Sequence, residues 1–350
     1  MNVRFVFILT AALAALVGTT VQAQVLPKTH LKIVGGLSNL VPYNDFEKPF
    51  WTSTIPALSG GQVTAEIKGF NEMGLKGPEV LRLMSQGVIE FGTATLSLFA
   101  SDNPINEAVD LAGLTTDAKT QREVVNAFTP VYEKLYGGGG GVKLLGLSPY
   151  PAQVLFCNAD IKSLADLKGK KVRTSSRTQA ELIDAMGGIS VTLAFGEVVP
   201  AMQNKTVDCA ITGSMSGFSA KWYEVSTHLL ALPINWNPQI HAVNQKAWDR
   251  LDPKVQVFLQ TNISKMIDDM WNGAAAQTQM GYDCNAGAAA CTAPVKGKMT
   301  LVQPSETDRA LLKKLLQDVV LPKWAARCSA QCVSDFNATI GKTLNLTARK

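Results

Sequence analysis

The spacing of apolar and polar positions changes along this chain in a way that marks out its elements. Between residues 30 and 95, short runs rich in β-branched and aromatic residues at 30–37, 63–70 and 88–95 predict strands, and stretches with helical spacing at 43–58 and 78–86 separate them. In the second of these helices Val80, Leu81, Leu83 and Met84 make one face, and Pro78 stands in the first turn, where its missing N–H costs nothing. A helix over 118–136 runs into five glycines at 137–141, and a further strand is predicted at 142–147. The glycines are read as a flexible connection, because no Gly-Lys-Ser/Thr follows them as a phosphate loop requires. Strand then helix, repeated, predicts a mostly parallel sheet flanked by helices.

A second alternating block begins after Pro149-Tyr150-Pro151. Its strands are predicted at 154–158, 171–174, 190–194 and 207–212. Helices are expected at 178–186 and 197–205, where Leu182, Ile183 and Met186, then Val198, Val199 and Met202, recur at intervals of three and four. From Asp252 the pattern lengthens. Asp252 as N-cap and Pro253 at the first position open a long helix with Val255, Phe258, Leu259, Met266, Ile267 and Met270 along one side. Ser305 with Asp308 three residues later opens another, with Leu311, Leu312, Leu315, Leu316, Val319 and Val320 on its apolar face. Two α/β blocks in succession, wrapped by long C-terminal helices, are the expected architecture.

The N-terminus changes how the composition is read. A basic residue at Arg4, an apolar run over 5–17 and the small-residue pattern Val21-Gln22-Ala23 predict a secretory signal peptide cut after Ala23. The run falls short of the roughly 20 residues of a membrane span. Export excludes little by itself, but the composition excludes more. Charged residues make up 17% and apolar ones 46% of the 350 residues, which is a globular and not a disordered balance. The formal charge of +5 comes from scattered basic residues without interleaved aromatics, so nucleic acid is not an expected partner. Three histidines leave little material for a His-based metal site.

Export also allows disulfides among the six cysteines. Cys284 and Cys291 flank a loop of small residues, and Cys328 and Cys332 sit in a helical stretch. These four are read as staples, either 284 to 291 and 328 to 332 or crossed between the two segments, because their spacings fit zinc ribbons poorly. Cys157 and Cys209 lie in separate predicted strands and either pair or stay as buried thiols. Catalytic signatures do not emerge: there is no His-Glu-x-x-His and no Gly-x-Ser-x-Gly. His30, His228 and His241 fall in or beside strand-like runs and are read as packed or surface histidines.

The stretch from Leu164 to Gly213 is the most informative. In order it reads Leu-Ala-Asp-Leu-Lys-Gly-Lys-Lys-Val-Arg, then Ala-Met-Gly-Gly, then Ala-Phe-Gly-Glu-Val-Val-Pro-Ala-Met-Gln, then Val-Asp-Cys-Ala-Ile-Thr-Gly. With Met-Ser-Gln-Gly-Val-Ile-Glu-Phe-Gly at 84–92, the leader and the long helices, this ordered set resembles the extracytoplasmic solute-binding proteins of tripartite ATP-independent periplasmic (TRAP) transporters, the DctP family. The resemblance covers nearly the whole chain after the leader.

What the resemblance implies is a monomeric periplasmic receptor without a cofactor, which does no chemistry on its ligand. It would capture a small carboxylate between two lobes, 24–150 plus 239–278 and 151–238 plus 279–350, and deliver it to membrane permease subunits. The family's carboxylate-binding Arg corresponds to Arg173. Physically, a guanidinium offers two parallel donors that match a carboxylate's two oxygens. A second family Arg, one strand earlier, is replaced here by Gln153, and a family Asn by Thr212. Phe195 and Trp236 are implied cleft aromatics. In the first lobe Ser38, Asn39, Lys76, Thr95 and Leu96 stand at strand ends facing the same crevice, and Lys76 is a candidate second positive charge. Two other readings stay open: a receptor serving an ATP-driven importer, and an exported enzyme using Cys157 or Cys209.

Overall fold

The β-branched runs pair into two sheets. The computed structural model describes residues 26–139 and 141–350, and the expected leader lies outside them. The first sheet is built from β1 (Thr29–Gly35), β2 (Val63–Gly69), β3 (Phe91–Thr95), β4 (Val142–Ser148) and, from far along the chain, β10 (Gln239–Asn244). The second uses β5 (Gln153–Cys157), β6 (Lys171–Thr174), β7 (Ile189–Thr192), β8 (Cys209–Gly213), β9 (His228–Asn235) and β11 (Thr300–Val302).

Strand order is β2-β1-β3-β10-β4 in the first sheet and β11-β9-β5-β8-β6-β7 in the second. In each sheet all strands run one way but one: β10 is antiparallel to both β3 and β4, and β5 to both β8 and β9. These reversed strands follow the crossings between sheets, over residues 149–152 and 236–238. The expected mostly parallel sheets are therefore present, each with one reversed interior strand.

Helices cover the sheets as their apolar spacing requires. α1 (Pro78–Ser85) buries Val80 and Met84, and α2 (Ala118–Gly137) buries Val124, Val125, Phe128 and Tyr132. On the second sheet lie α3 (Arg177–Ala185), α4 (Val198–Gln203) and α5 (Ser214–Ser219). The helical spacing at 43–58 gives a continuous helical segment, but one containing wide π turns at Pro42–Glu47 and Phe50–Thr54.

The long helix α6 (Pro253–Ala286) begins where expected, with the Asp252 side chain accepting from the Lys254 N–H at 2.8 Å. It packs on β4 and then on α5, so it touches both sheets. The second contact depends on Gly281, where a Cβ would stand 2.4 Å from the Met215 nitrogen. Ser305 and Asp308 form the capping box of α7 (Glu306–Leu315), and Asp308 also accepts from the Leu164 N–H at 2.8 Å. Among the described residues no helix is long and apolar enough to cross a membrane.

The C-terminal helices Ala330–Ala338 and Ile340–Leu344 pack against α2, on the first sheet. Just before them, Arg327 is paired with Glu107 at 2.9 Å and with Glu181 of α3. The tail, expected to belong with the second lobe, thus contacts both halves.

Three disulfides resolve the open cysteine pairings as 157–209, 284–291 and 328–332. Cys157 and Cys209 are directly opposed on antiparallel β5 and β8, with Cα atoms 4.0 Å apart. By the chain-entropy argument, closing this loop of 52 residues contributes about 4 kcal/mol. It also consumes both thiols that the enzyme reading would have used.

Candidate functional site

A cavity of about 460 Å³ opens between the two sheets, lined by residues from both. Its most constrained member is Arg173. β6 alternates so that Arg173, paired across the ladders with Ala210 and Val191, turns towards the cavity while staying only 3% exposed. Two backbone carbonyls fix the guanidinium: Nε donates to Leu193 at 3.0 Å and Nη1 to Ile211 at 2.7 Å. Behind it lies the Trp222 ring, 5.9 Å from the guanidinium carbon. Burial pushes the Arg173 pKa down to about 10, with Glu197 pulling the other way, so it remains a cation at neutral pH. Among the described residues it has no carboxylate within salt-bridge distance, and Nη2 makes no hydrogen bond. A buried, immobilised cation with one donor edge unused is arranged to receive an anion.

Other groups surround that edge. Thr212 and Ser216 line the same wall; they are nearly buried, and the Ser216 hydroxyl has no partner. Gln153 is committed to the protein instead, with Nε2 donating to Pro151 at 3.0 Å and Oε1 accepting from Asn237 Nδ2 at 3.1 Å. Asn237 also donates to the Ser175 hydroxyl at 3.3 Å. Asn237 has φ 45°, a left-handed conformation that asparagine tolerates. Buried Asp110 anchors this corner, accepting from the backbone N–H groups of Trp236 and Asn237 at 2.8 and 3.0 Å and from Asn235 Nδ2 at 2.8 Å. Burial raises the Asp110 carboxyl to about 7 against the pull of those three donors.

The opposite wall, from the first sheet, is mainly apolar, with Leu37, Leu40, Phe70, Leu75 and Leu98. At the mouth, Lys76 reaches across to Glu197 at 3.1 Å. The Lys76 hydrogen bond is the chief reason that the Glu197 carboxyl is held below the usual carboxylate range.

Of the residues expected from sequence, Arg173, Gln153, Thr212, Phe195, Thr95 and Lys76 all line this cavity. Phe195 stacks on Trp222 with centroids 5.4 Å apart, so it both walls the cavity and supports the ring behind Arg173. Lys76 is on site but does not supply the second positive charge, because Glu197 neutralises it.

Four expectations are corrected. Leu96 begins a tight 3-10 turn directly after β3, which rotates its side chain into the core, where it is fully buried. Trp236 is also buried, in the apolar cluster with Ala152 and Tyr282; its neighbours Asn235 and Asn237 take the polar side of the link, and the indole goes the other way. Ser38 and Asn39 do not line the cavity. Ser38 instead orients a residue that does, its N–H donating to Asn71 Oδ1 at 3.0 Å and its hydroxyl accepting from Asn71 Nδ2 at 3.1 Å. Asn71, Ser175, Ser216 and Asn237 were missed. Asn237, before a proline where the chain returns between blocks, carried the clearest signal.

Of the histidines, His241 is packed inside the first sheet, between the hydroxyls of Thr93 at 3.1 Å and Ser148 at 2.8 Å. Burial lowers its pKa to about 4. Close by, buried Glu47 accepts one hydrogen bond, from the Gly36 N–H at 3.0 Å, and its other oxygen has no partner. Burial pushes its carboxyl from 4.5 up to about 7, with the Gly36 N–H and the Thr93 hydroxyl opposing. The folded state therefore holds a proton that the unfolded chain releases near its ordinary pKa. The stability this gives is full below about 4.5, falls as pH rises to about 7 and is gone above it, an effect on the order of 3 kcal/mol. Thermal unfolding scans should show the melting temperature rising as pH falls from 8 to 5. Glu47→Gln should reduce that rise, with the remainder coming from Asp110, whose carboxyl burial also raises to about 7, and an unchanged slope would place the proton elsewhere.

A cavity between two α/β sheets, with a buried guanidinium aimed into it, is the architecture of a two-lobed solute-binding protein. The family model described as bacterial extracellular solute-binding protein, family 7 (DctP), matches residues 43–323, and the chain belongs to that family. Among curated relatives, the chain is 25% identical over 175 residues to the 2,3-diketo-L-gulonate-binding periplasmic protein YiaO of Escherichia coli, covering 49% of this chain and 53% of that one. It is 25% identical over 202 residues to the ectoine-binding periplasmic protein TeaA of Halomonas elongata, covering 56% and 59%. The chain thus spans little more than half the length of the curated relatives it matches.

Solved structures align over more. A Bordetella pertussis extracytoplasmic solute receptor binding pyroglutamic acid superposes with a TM-score of 0.76 at 20% identity, over 88% of this chain and 99% of that one. A TRAP periplasmic solute-binding protein of Desulfovibrio salexigens with bound orotic acid gives 0.78 at 19% identity, over 90% and 98%. At these identities the likeness is one of fold.

Proposed function

We propose that the protein is the periplasmic receptor of a TRAP transporter and that it captures a small organic acid between its two sheets. The observation that carries this reading is Arg173: a buried guanidinium held by two carbonyls, lining the cavity with its remaining edge unused and, among the described residues, no carboxylate against it. The names of the relatives support it, since they describe periplasmic binding proteins, and the solved neighbours carry small organic acids.

In this reading residues 24–150 and 239–278 form one lobe and 151–238 and 279–350 the other, with the last helices reaching back to brace the first. The ligand touches both walls only when the lobes are together, so its differential affinity shifts the population towards the closed form. Membrane permease subunits then receive the acid from that form. The Lys76–Glu197 pair joins the two walls at the mouth and favours closure. A leader at 1–23 directs export.

The test is the fate of the ligand. Purified protein incubated with a pool of organic acids should retain one and release it unaltered on denaturation, as read by mass spectrometry. Conversion of the acid to another compound, or retention of none, would overturn the receptor reading.

A further inference from the structure

The two walls of the cavity differ in chemistry, and that difference restricts the ligand. One cation is available: Arg173 is unpaired, whereas Lys76 is neutralised by Glu197. Around Arg173, Thr212 and Ser216 also line the cavity, and the buried Ser216 hydroxyl has no protein partner. Two other polar side chains nearby are occupied. Gln153 is held by Pro151 and Asn237, and Ser175 by Gln179 and Asn237. Across the cavity, Leu37, Leu40, Phe70, Leu75 and Leu98 offer no hydrogen bond, and Phe195 closes the side with a ring face. Apart from Lys76, the polar side chains on the first-sheet side are few: Asn71, which is bonded to Ser38, and the hydroxyls of Thr95, Ser97 and Tyr150.

We propose that the ligand is a monocarboxylate with an apolar body, aryl or branched alkyl, oriented with its carboxylate on Arg173, Thr212 and Ser216 and its body against the leucine wall. This deepens the receptor reading and rests on it. A second carboxylate would lie against leucines, stripped of water and without a cation. The several hydroxyls of a sugar acid would lie mostly against leucines there, and each unpaired one loses its water without compensation. An apolar body gains from the same surface by leaving water. A cavity of about 460 Å³ lies within the usual range for small-molecule sites.

Isothermal titration of the full chain with five probes tests this: 3-phenylpropionate, 4-methylpentanoate, succinate, malonate and D-gluconate. The two apolar monocarboxylates should bind at least tenfold tighter than the other three. Leu98→Gln, at a half-buried wall position, should lower the affinity for 3-phenylpropionate more than tenfold while leaving the melting temperature of the ligand-free protein unchanged. Leu75→Gln provides a second variant should the first fail to fold. Preferential binding of succinate, malonate or gluconate that depends on Arg173 would overturn the apolar assignment and leave the receptor reading intact. Binding of none of the acids would overturn both, and affinities for the apolar acids untouched by Arg173→Ala would overturn the proposed orientation.

Discussion

Arg173→Ala should abolish the thermal stabilisation given by an acidic ligand and weaken its binding by a factor of roughly a hundred or more. The size follows from what is removed. Charge-assisted hydrogen bonds contribute about 1.5–3 kcal/mol each, and the variant also leaves the ligand's carboxylate in a cavity without its counter-charge. Arg173→Lys should not rescue. Lysine is a point charge on a flexible stem, whereas here three edges of one planar group are used at once, by the Leu193 carbonyl, the Ile211 carbonyl and the cavity. Because Arg173→Ala also removes the donor that the Leu193 and Ile211 carbonyls take from the guanidinium, the unfolding temperature of the ligand-free protein has to be measured beside the affinity. A dissociation constant unchanged by Arg173→Ala in a folded protein would show that the carboxylate sits elsewhere.

The second large effect is expected at Asp110. Its carboxylate serves three donors on the link between β9 and β10, and two of them are backbone N–H groups. Asp110→Ala strands all three in a buried place, which should cost about 3 kcal/mol or more in urea unfolding. Asp110→Asn keeps the shape but turns one acceptor into a donor, and should fall between wild type and alanine. The link also holds Asn237 in its left-handed conformation and, through it, Gln153 and Ser175 at the cavity wall. Affinity should therefore drop with stability in Asp110→Ala. A loss below about 1 kcal/mol would mean that the link is held by the strands alone.

Much of this arrangement was legible from local rules. β6 was read at its observed bounds, since Lys-Val-Arg-Thr is bracketed by Gly169 and the Ser175-Ser176 turn. The Asp252-Pro253 start and the Ser305/Asp308 box are signals complete within four residues, and both formed. Arg173 was found because ordered words flank it. Leu96 and Trp236 were misplaced because reading along a strand says which face a residue takes only while the strand lasts. One residue past β3 the chain turns into a tight helix, and one past β9 it is clamped by Asp110 from 126 residues away. Asn71 and Ser38 show the same limit: what brings them together is the parallel pairing of β1 with β2, a tertiary fact. The apolar wall escaped notice for a similar reason. Its leucines come from several separate turns, none of which has a period to read.

The two reversed strands bear on how the halves can move. β10 and β5 each lie in a sheet interior, so each crossing delivers the chain to a strand laddered on both sides. Two of the connections between the halves are residues 149–152 and 236–238, and α6 is a third. Pro149, Pro151 and Pro238 fix three of those seven φ angles, the Asp110 corner holds a fourth at Asn237, and the Tyr150 N–H donates to the Trp236 carbonyl at 3.2 Å. Such a joint resists sliding and shear, and the motion it leaves is rotation about an axis through the two crossings, which α6, packed on both halves, has to follow. The joint thus defines a path with essentially one angular coordinate, so a distance measured between one labelled site on each half would track the whole motion.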